Sequence, residues 1–236
     1  MGFPSIGRLL GGGRRRSAEF SVICAFNDPE RLGKFLLPSL RRQGAPFELI
    51  AVDTRGGGQA GAAATLNEAA GGARGGYLMF VHQDVALGSD SWLADACRDL
   101  GRISRLGAAG VAGAWRGGSV ASVSHGDPPR LACPGQIRKP FRVQTLDGCL
   151  MIVPGEVFRR VRFDESTCGG WHLYVADYCL DLARLGYRVH VLPHPVYHES
   201  TGPKDPGVYE VARRRLLEKH RARESTIYTT VGVWRT

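Results

Sequence analysis

From residue 20 onward, short apolar runs alternate with longer stretches in which apolar positions recur every three or four residues. The first run, Phe20–Phe26, is apolar at nearly every position, as expected of a strand buried on both faces. Asp28-Pro29 follows, a capping residue with proline at the first helical position, so the pattern predicts a helix over 28–43 with a kink at Pro38. A second strand over Phe47–Asp53 runs into a glycine-rich loop at 54–61. A helix over 62–73 then leads to a third strand, Tyr77–Val81, which ends in His82-Gln83-Asp84. Strands and helices in alternation predict parallel pairing through crossover helices.

The second half is less regular. A helix over 91–105 and a short strand over 109–113 precede residues 114–140, rich in Gly, Ser and Pro and read as a long irregular connection. Strand-like segments at 141–146 and 149–153 flank Asp147-Gly148. A short helix over 155–161, a stronger one over 174–185 closed by Gly186, a strand over 189–192 and a basic helix over 208–219 complete the reading. Residues 1–18 form a basic Gly/Arg-rich arm with an apolar contact at Ile6, Leu9 and Leu10, which leaves 19–236 as a single domain.

Composition agrees with a globular chain: of 236 residues, 43% are hydrophobic and 22% charged. The six cysteines are scattered with no C-x-x-C pair, which argues against a zinc site and for a reduced, cytoplasmic compartment. No apolar run approaches the ~18–20 residues of a membrane span, and the N-terminus lacks a signal-peptide core. The net charge of +9 includes Arg14-Arg15-Arg16 and the stretch 213–223. Such clusters suit phosphate-rich ligands or peripheral contact with the inner face of an anionic membrane, and equally a plain solvated face. Nucleic-acid recognition motifs are missing, so no nucleic-acid partner is expected.

Ligands of open α/β sheets sit beyond the carboxyl ends of the strands. Three of the expected strands end in polar residues: Asn27-Asp28, Asp53-Thr54 and His82-Gln83-Asp84. Asn27, Asp53 and Thr54 are suited to hydrogen-bond a base and ribose; the plainer reading makes Asp28 a helix cap and Asp53 a turn residue.

The segments VICAFNDPERL, LIAVDTRGG, AATLNEAAGGARGGYLMFVHQDV, DGCLMIVP and FDES…WHLYVADYCLDLARLGYRVHVLPHPVYHES occur in order between about residues 20 and 200. Together they resemble the family 2 glycosyltransferases of GT-A type, in particular the branch grouped with a streptomycin-biosynthesis glycosyltransferase-like domain. The resemblance implies an α/β, GT-A (Rossmann-like) fold with a mixed, mostly parallel sheet flanked by helices. It also implies a nucleotide-sugar donor (UDP-sugar favoured), Mg²⁺ or Mn²⁺, and inversion at the anomeric carbon. The acceptor is left open among a sugar, a lipid-linked glycan and a small molecule.

By position, the resemblance puts Asn27, Asp53, Thr54, Asn67 and Gln83 with the nucleotide sugar. His82-Gln83-Asp84 stands in place of the D-x-D motif, so Asp84 becomes a metal ligand, His82 replaces the first acid, and His198 is a further candidate ligand. A divalent ion there stabilises charge on a leaving diphosphate, and Mg²⁺ needs only one or two protein carboxylates. Asp177, in the first turn of the 174–185 helix, is the candidate general base, with His172 as substitute. Many relatives carry an acid where this chain has Val175; the stripe Val175, Cys179, Leu182 is read as turning Asp177 away from the core. Trp171 stacks on a sugar or in the core, and Lys204 sits on a flap bounded by Gly202 and Gly207. The competing readings are a non-catalytic nucleotide-sugar-binding module, favoured by His82 and Val175, and a sugar nucleotidyltransferase, disfavoured by the lack of G-x-G-x-R after the first strand.

Overall fold

A computed structural model describes residues 19–57, 61–133, 137–199 and 206–236, and the backbone of 6–11. Strand β1 covers Ile6–Gly11 and β2 covers Phe20–Phe26. Asp28 accepts from the amides of Glu30 and Arg31 and so caps helix α1 (Pro29–Lys34), which gives way at Phe35 to α2 (Leu36–Arg41). The single kinked helix expected here is therefore two short ones. A continuous helix would drive the Pro38 ring against the carbonyl of Lys34; after the break, Pro38 lies in the first turn of α2, where no N–H is needed.

Next come β3 (Phe47–Asp53), α3 (Ala62–Ala70), β4 (Tyr77–Val81), β5 (Val85–Leu87), α4 (Trp92–Leu100) and β6 (Leu106–Gly110). Much of the segment expected to be irregular is sheet: β7 (Ala112–Trp115), β8 (Gly118–Ala121), β9 (Val123–His125) and β10 (Arg130–Leu131). The chain continues through β11 (Phe141–Val143), β12 (Thr145–Leu146), β13 (Leu150–Pro154), α5 (Gly155–Arg160) and α6 (Tyr174–Arg184). It closes with β14 (Arg188–Val191), β15 (Val196–His198), α7 (Pro206–His220) and a hairpin of β16 (Thr226–Thr229) and β17 (Gly232–Arg235).

Eight strands form the central sheet in the order β1-β3-β2-β4-β13-β6-β14-β11. β3, β2 and β4 are mutually parallel, β13 runs backwards between β4 and β6, and β14 returns parallel to β6. β1 and β11 are antiparallel edges. β2, β3, β4, β6 and β14 thus share one direction, giving the mixed, mostly parallel α/β sheet of the GT-A class. The arm read at 1–18 contributes a sheet strand over Ile6–Gly11.

Both faces of the sheet are covered, which follows from the alternation of side chains along each strand. Phe20, Val22 and Cys24 pack with Leu36, Leu40 and Trp92 on one side. Ile23, Val52 and Phe80 pack with Leu66, Phe158 and Tyr178 on the other. A second sheet, ordered β10-β9-β15-β5, was not apparent in the sequence. It pairs β5 antiparallel with β15, and β15 parallel with β9.

Candidate metal and donor site

Parallel pairing of β2, β3 and β4 sets their polar tips side by side, with Phe26 opposite Asp53. The tips are laced together. Gln83 accepts the amides of Asn27 and Asp28 at 3.0 and 2.9 Å, and its own amide donates to Asn27 Oδ1 at 2.8 Å. Thr54 donates its hydroxyl to the Phe26 carbonyl. Hydrogen bonds from Arg55 hold the Asp53 carboxyl down at about 2, so it is ionised at neutral pH. Asn27, Asp53, Thr54 and Gln83 therefore form one polar rim.

Beside the rim, the second sheet brings distant residues to the end of β4. The β5–β15 pairing places His198 opposite Val85, next to Asp84. His198 Nε2 lies 3.4 Å from Asp84 Oδ1 and 3.4 Å from His82 Nδ1. The ligand atoms of His82, Asp84 and His198 all fall within 4.8 Å of one another. Arg31 Nη1 approaches Asp84 Oδ2 at 3.5 Å, and His125 Nδ1 meets the His198 carbonyl at 2.7 Å. Asp84 and His198 are buried, whereas His82 reaches solvent at the crevice mouth. Desolvation by the atoms packed around His82, together with neighbouring His198, nevertheless lowers its pKa, with Asp84 and Asp147 opposing. A neutral imidazole is the metal-ligating form. Two imidazoles and one carboxylate make a donor set that could hold a divalent ion.

The opposite wall begins where β13 enters the sheet, with His82 N bonded to the Cys149 carbonyl. Asp147 Oδ1 accepts the Cys149 amide at 2.9 Å, and Oδ2 accepts the Thr230 hydroxyl at 2.8 Å. A Cβ placed on Gly148 would stand 3.8 Å from Val175 Cγ2 and 3.9 Å from both His82 Nε2 and the Tyr174 hydroxyl. Val175 and Tyr174, at the start of α6, thus approach His82 across Gly148. Arg31, His125, Asp147 and Tyr174 escaped the sequence reading. Asp147 lies in the DGCLMIVP segment and His125 within the stretch 114–140, and no local pattern marks either as functional.

One expectation needs correction. Asp177 is not turned away from the packed interior: it is 1% exposed, because α7 covers that side of α6. Its oxygens take Lys219 Nζ at 2.8 Å and His220 Nε2 at 2.7 Å, and Lys219 also binds Asp164 at 3.0 Å and Asp181 at 2.7 Å. Burial pulls the Lys219 pKa down, but hydrogen bonds to Asp177 and Asp181 prevail and raise it. Asn67, expected with the nucleotide sugar, spends its side chain on the chain itself: Nδ2 donates to the Phe163 carbonyl and to Glu165, and Oδ1 accepts the Phe163 amide.

His172 stacks edge-on against Tyr209 of α7, with ring centroids 5.8 Å apart. Trp171 is 45% exposed on a loop whose Gly170 carbonyl accepts the Ala62 amide at the start of α3. The backbone there packs so closely on Gly61, at φ +115°, that a side chain would collide with the Gly169 carbonyl. Lys204 lies outside the described residues. Among the described residues, no helix is long and apolar enough to cross a membrane.

Known proteins resemble this chain at three levels. A curated relative, the "ATP synthase subunits region ORF 6" protein of Fuscovulum blasticum, is 28% identical over 221 residues, covering 86% of this chain and 83% of the relative. GalNAc-T7, solved with UDP, GalNAc and Mn²⁺, superposes with TM-score 0.62 at 13% identity, over 87% of this chain and 48% of its own. The mannosyltransferase PcManGT of Pyrobaculum calidifontis, with GDP-Man and Mn²⁺, gives 0.56 at 16% identity over 88% and 64%. The 1–349 portion of S. aureus TarS, with UDP, gives 0.58 at 16% identity over 85% and 65%. The chain thus spans about half of GalNAc-T7 and under two thirds of the other two. These likenesses establish the fold. The model of the glycosyltransferase-like family matches residues 36–226, and the chain belongs to that family.

Proposed function

We propose that the crevice transfers a sugar from a nucleotide-diphosphate-sugar donor, UDP-linked by preference, to an acceptor hydroxyl with inversion at the anomeric carbon. The observation that carries this reading is the His82/Asp84/His198 donor set beside the rim of Asn27, Asp53, Thr54 and Gln83, at the carboxyl end of three parallel strands. UDP with Mn²⁺ in one structural neighbour, GDP-mannose with Mn²⁺ in a second and UDP in a third support it. Asp84 and the two imidazoles would hold the ion, and Arg31 would share the charge of Asp84. A divalent ion so held supplies Lewis-acid stabilisation of the departing diphosphate. The rim residues orient base and ribose. The net charge of +9 and the arginines of α7 favour an acceptor that carries phosphate, such as a lipid-linked glycan, met at the inner face of a membrane.

A thermal-shift screen of UDP, GDP and dTDP, with and without Mn²⁺, followed by turnover of the matching nucleotide sugars, tests the proposal. A ligand that binds only the folded state raises the melting temperature by mass action. We expect a metal-dependent shift with one nucleotide that Asp84→Ala abolishes. No shift and no turnover with any donor would overturn the reading. Val175 at the crevice wall favours the second reading, a non-catalytic nucleotide-sugar-binding module, which requires metal-dependent binding without turnover.

A further inference from the structure

We propose that Asp147 receives the proton of the acceptor hydroxyl, and that Thr230, on the C-terminal hairpin, holds it in position. This rests on the transferase reading above. A single displacement needs one group to take that proton as the acceptor oxygen attacks. At the start of α6, Val175 and the Tyr174 hydroxyl approach His82 across Gly148, and neither is a carboxylate.

The carboxylates near the strand tips are otherwise engaged. Asp84 belongs to the ion-binding set and Asp53 is forked by Arg55. Asp28 caps α1. Glu199 is drawn to the Tyr197 hydroxyl, which strand alternation puts on the other face of β15 from His198. Asp177 is sealed beneath α7 by Lys219 and His220. Asp147 immediately precedes Gly148, the residue packed between His82 and Tyr174, and it stands at the sheet edge where β4 ends and β13 begins. Its oxygens accept from the Cys149 amide, the Cys149 thiol and the Thr230 hydroxyl, and two carboxylate oxygens with about four lone-pair sites still leave room for an acceptor hydroxyl.

In the step itself the acceptor oxygen bonds to the anomeric carbon while the bond from that carbon to the diphosphate oxygen breaks. The electron pair departs with the nucleoside diphosphate, and the hydroxyl proton passes to Asp147, which releases it to solvent after the products leave.

Thr230 is delivered by an element that the family match, ending at 226, does not reach. Gln144 accepts the Tyr228 amide at 2.7 Å and donates to the Thr226 carbonyl at 3.1 Å, and Thr145 donates to the Tyr228 carbonyl at 2.5 Å. The hairpin is thereby riveted to the segment that leads into Asp147. Thr230 is a positioning residue and touches no substrate.

The test uses the full chain, Mn²⁺ and the panel of UDP-, GDP- and dTDP-sugars, reading nucleoside-diphosphate release and, separately, the thermal shift given by the matching nucleoside diphosphate. Asp147→Asn should keep the thermal shift while release falls at least ~100-fold. Thr230→Val should lower kcat about tenfold at unchanged donor KM, and Thr230→Ser should restore most of it. Melting temperatures of all three variants separate loss of chemistry from loss of folding. Release by Asp147→Asn within about threefold of wild type overturns the assignment, as does loss of the nucleotide shift in a folded Asp147→Asn protein. An unchanged kcat in Thr230→Val overturns the positioning role. A wild-type chain that neither binds nor turns over any donor removes the transferase reading and this assignment with it, whereas wild-type turnover undiminished in Asp147→Asn removes the assignment alone.

Discussion

Replacing Asp177 by asparagine distinguishes a buried counter-ion from a proton acceptor. The carboxylate is 1% exposed and meets Lys219 Nζ at 2.8 Å and His220 Nε2 at 2.7 Å. Asparagine keeps the shape and one accepting oxygen but removes the charge. Breaking one side of a buried ion pair costs ~3–5 kcal/mol. Two features reduce that figure: Lys219 retains Asp164 and Asp181, and the amide oxygen still accepts a hydrogen bond. The expected loss is about 2–3 kcal/mol, which for a domain of this size lowers Tm by roughly 4–12 °C. Thermal unfolding at pH 7, followed by circular dichroism, measures it, and the Asp177→Asn/Lys219→Met double variant should lose less than the sum of the singles. Below the transition, donor turnover should track the folded fraction. A variant with unchanged Tm and abolished turnover would refute the reasoning and return Asp177 to the role of base.

Two further expectations come from the same kind of contact. Asn67→Ala removes three hydrogen bonds to the 163–165 segment and should cost about 2–3 kcal/mol in urea unfolding without changing nucleotide affinity; the reverse pattern would restore Asn67 to the donor site. Burial would raise the pKa of Asp164, but hydrogen bonds from Ser166, Thr167 and Lys219 hold it well below the ordinary carboxylate value. A depressed folded-state pKa gives stability that is complete above the unfolded value of ~3.9 and is lost as pH falls through the folded one. Tm should therefore drop between about pH 4 and pH 2, and drop less in Asp164→Asn; an equal drop in both proteins would refute the linkage.

The three parallel strands could be read directly because strands covered on both faces are written as nearly continuous apolar runs, and Phe20–Phe26 and Tyr77–Val81 are such runs. Their polar tips follow by topology alone. The small sheet could not be read: β9 and β10 have three and two residues, too few for any periodicity, and β15, which joins β9 to β5, lies far along the chain. His125 was lost with them. The misreading of Asp177 has a different origin. A helix stripe at Val175, Cys179 and Leu182 identifies one buried face, but α6 is covered on two, and the second cover is α7, some thirty residues later in the sequence. Burial of a charged residue by a remote helix leaves no local pattern. It is visible only once Lys219 and His220 are seen to arrive opposite the carboxylate.

His82 and His198 are 116 positions apart, yet they share one cluster of ligand atoms. An ion seated between them would fasten the ends of a very long loop, and closure of long loops is where a clip gains most against the unfolded chain. During synthesis, no such fastening can form until β15 has left the ribosome. A chain stopped short of residue 198 would hold every residue of the β2–β4 tips and still lack one of the three side chains that could grip a cation.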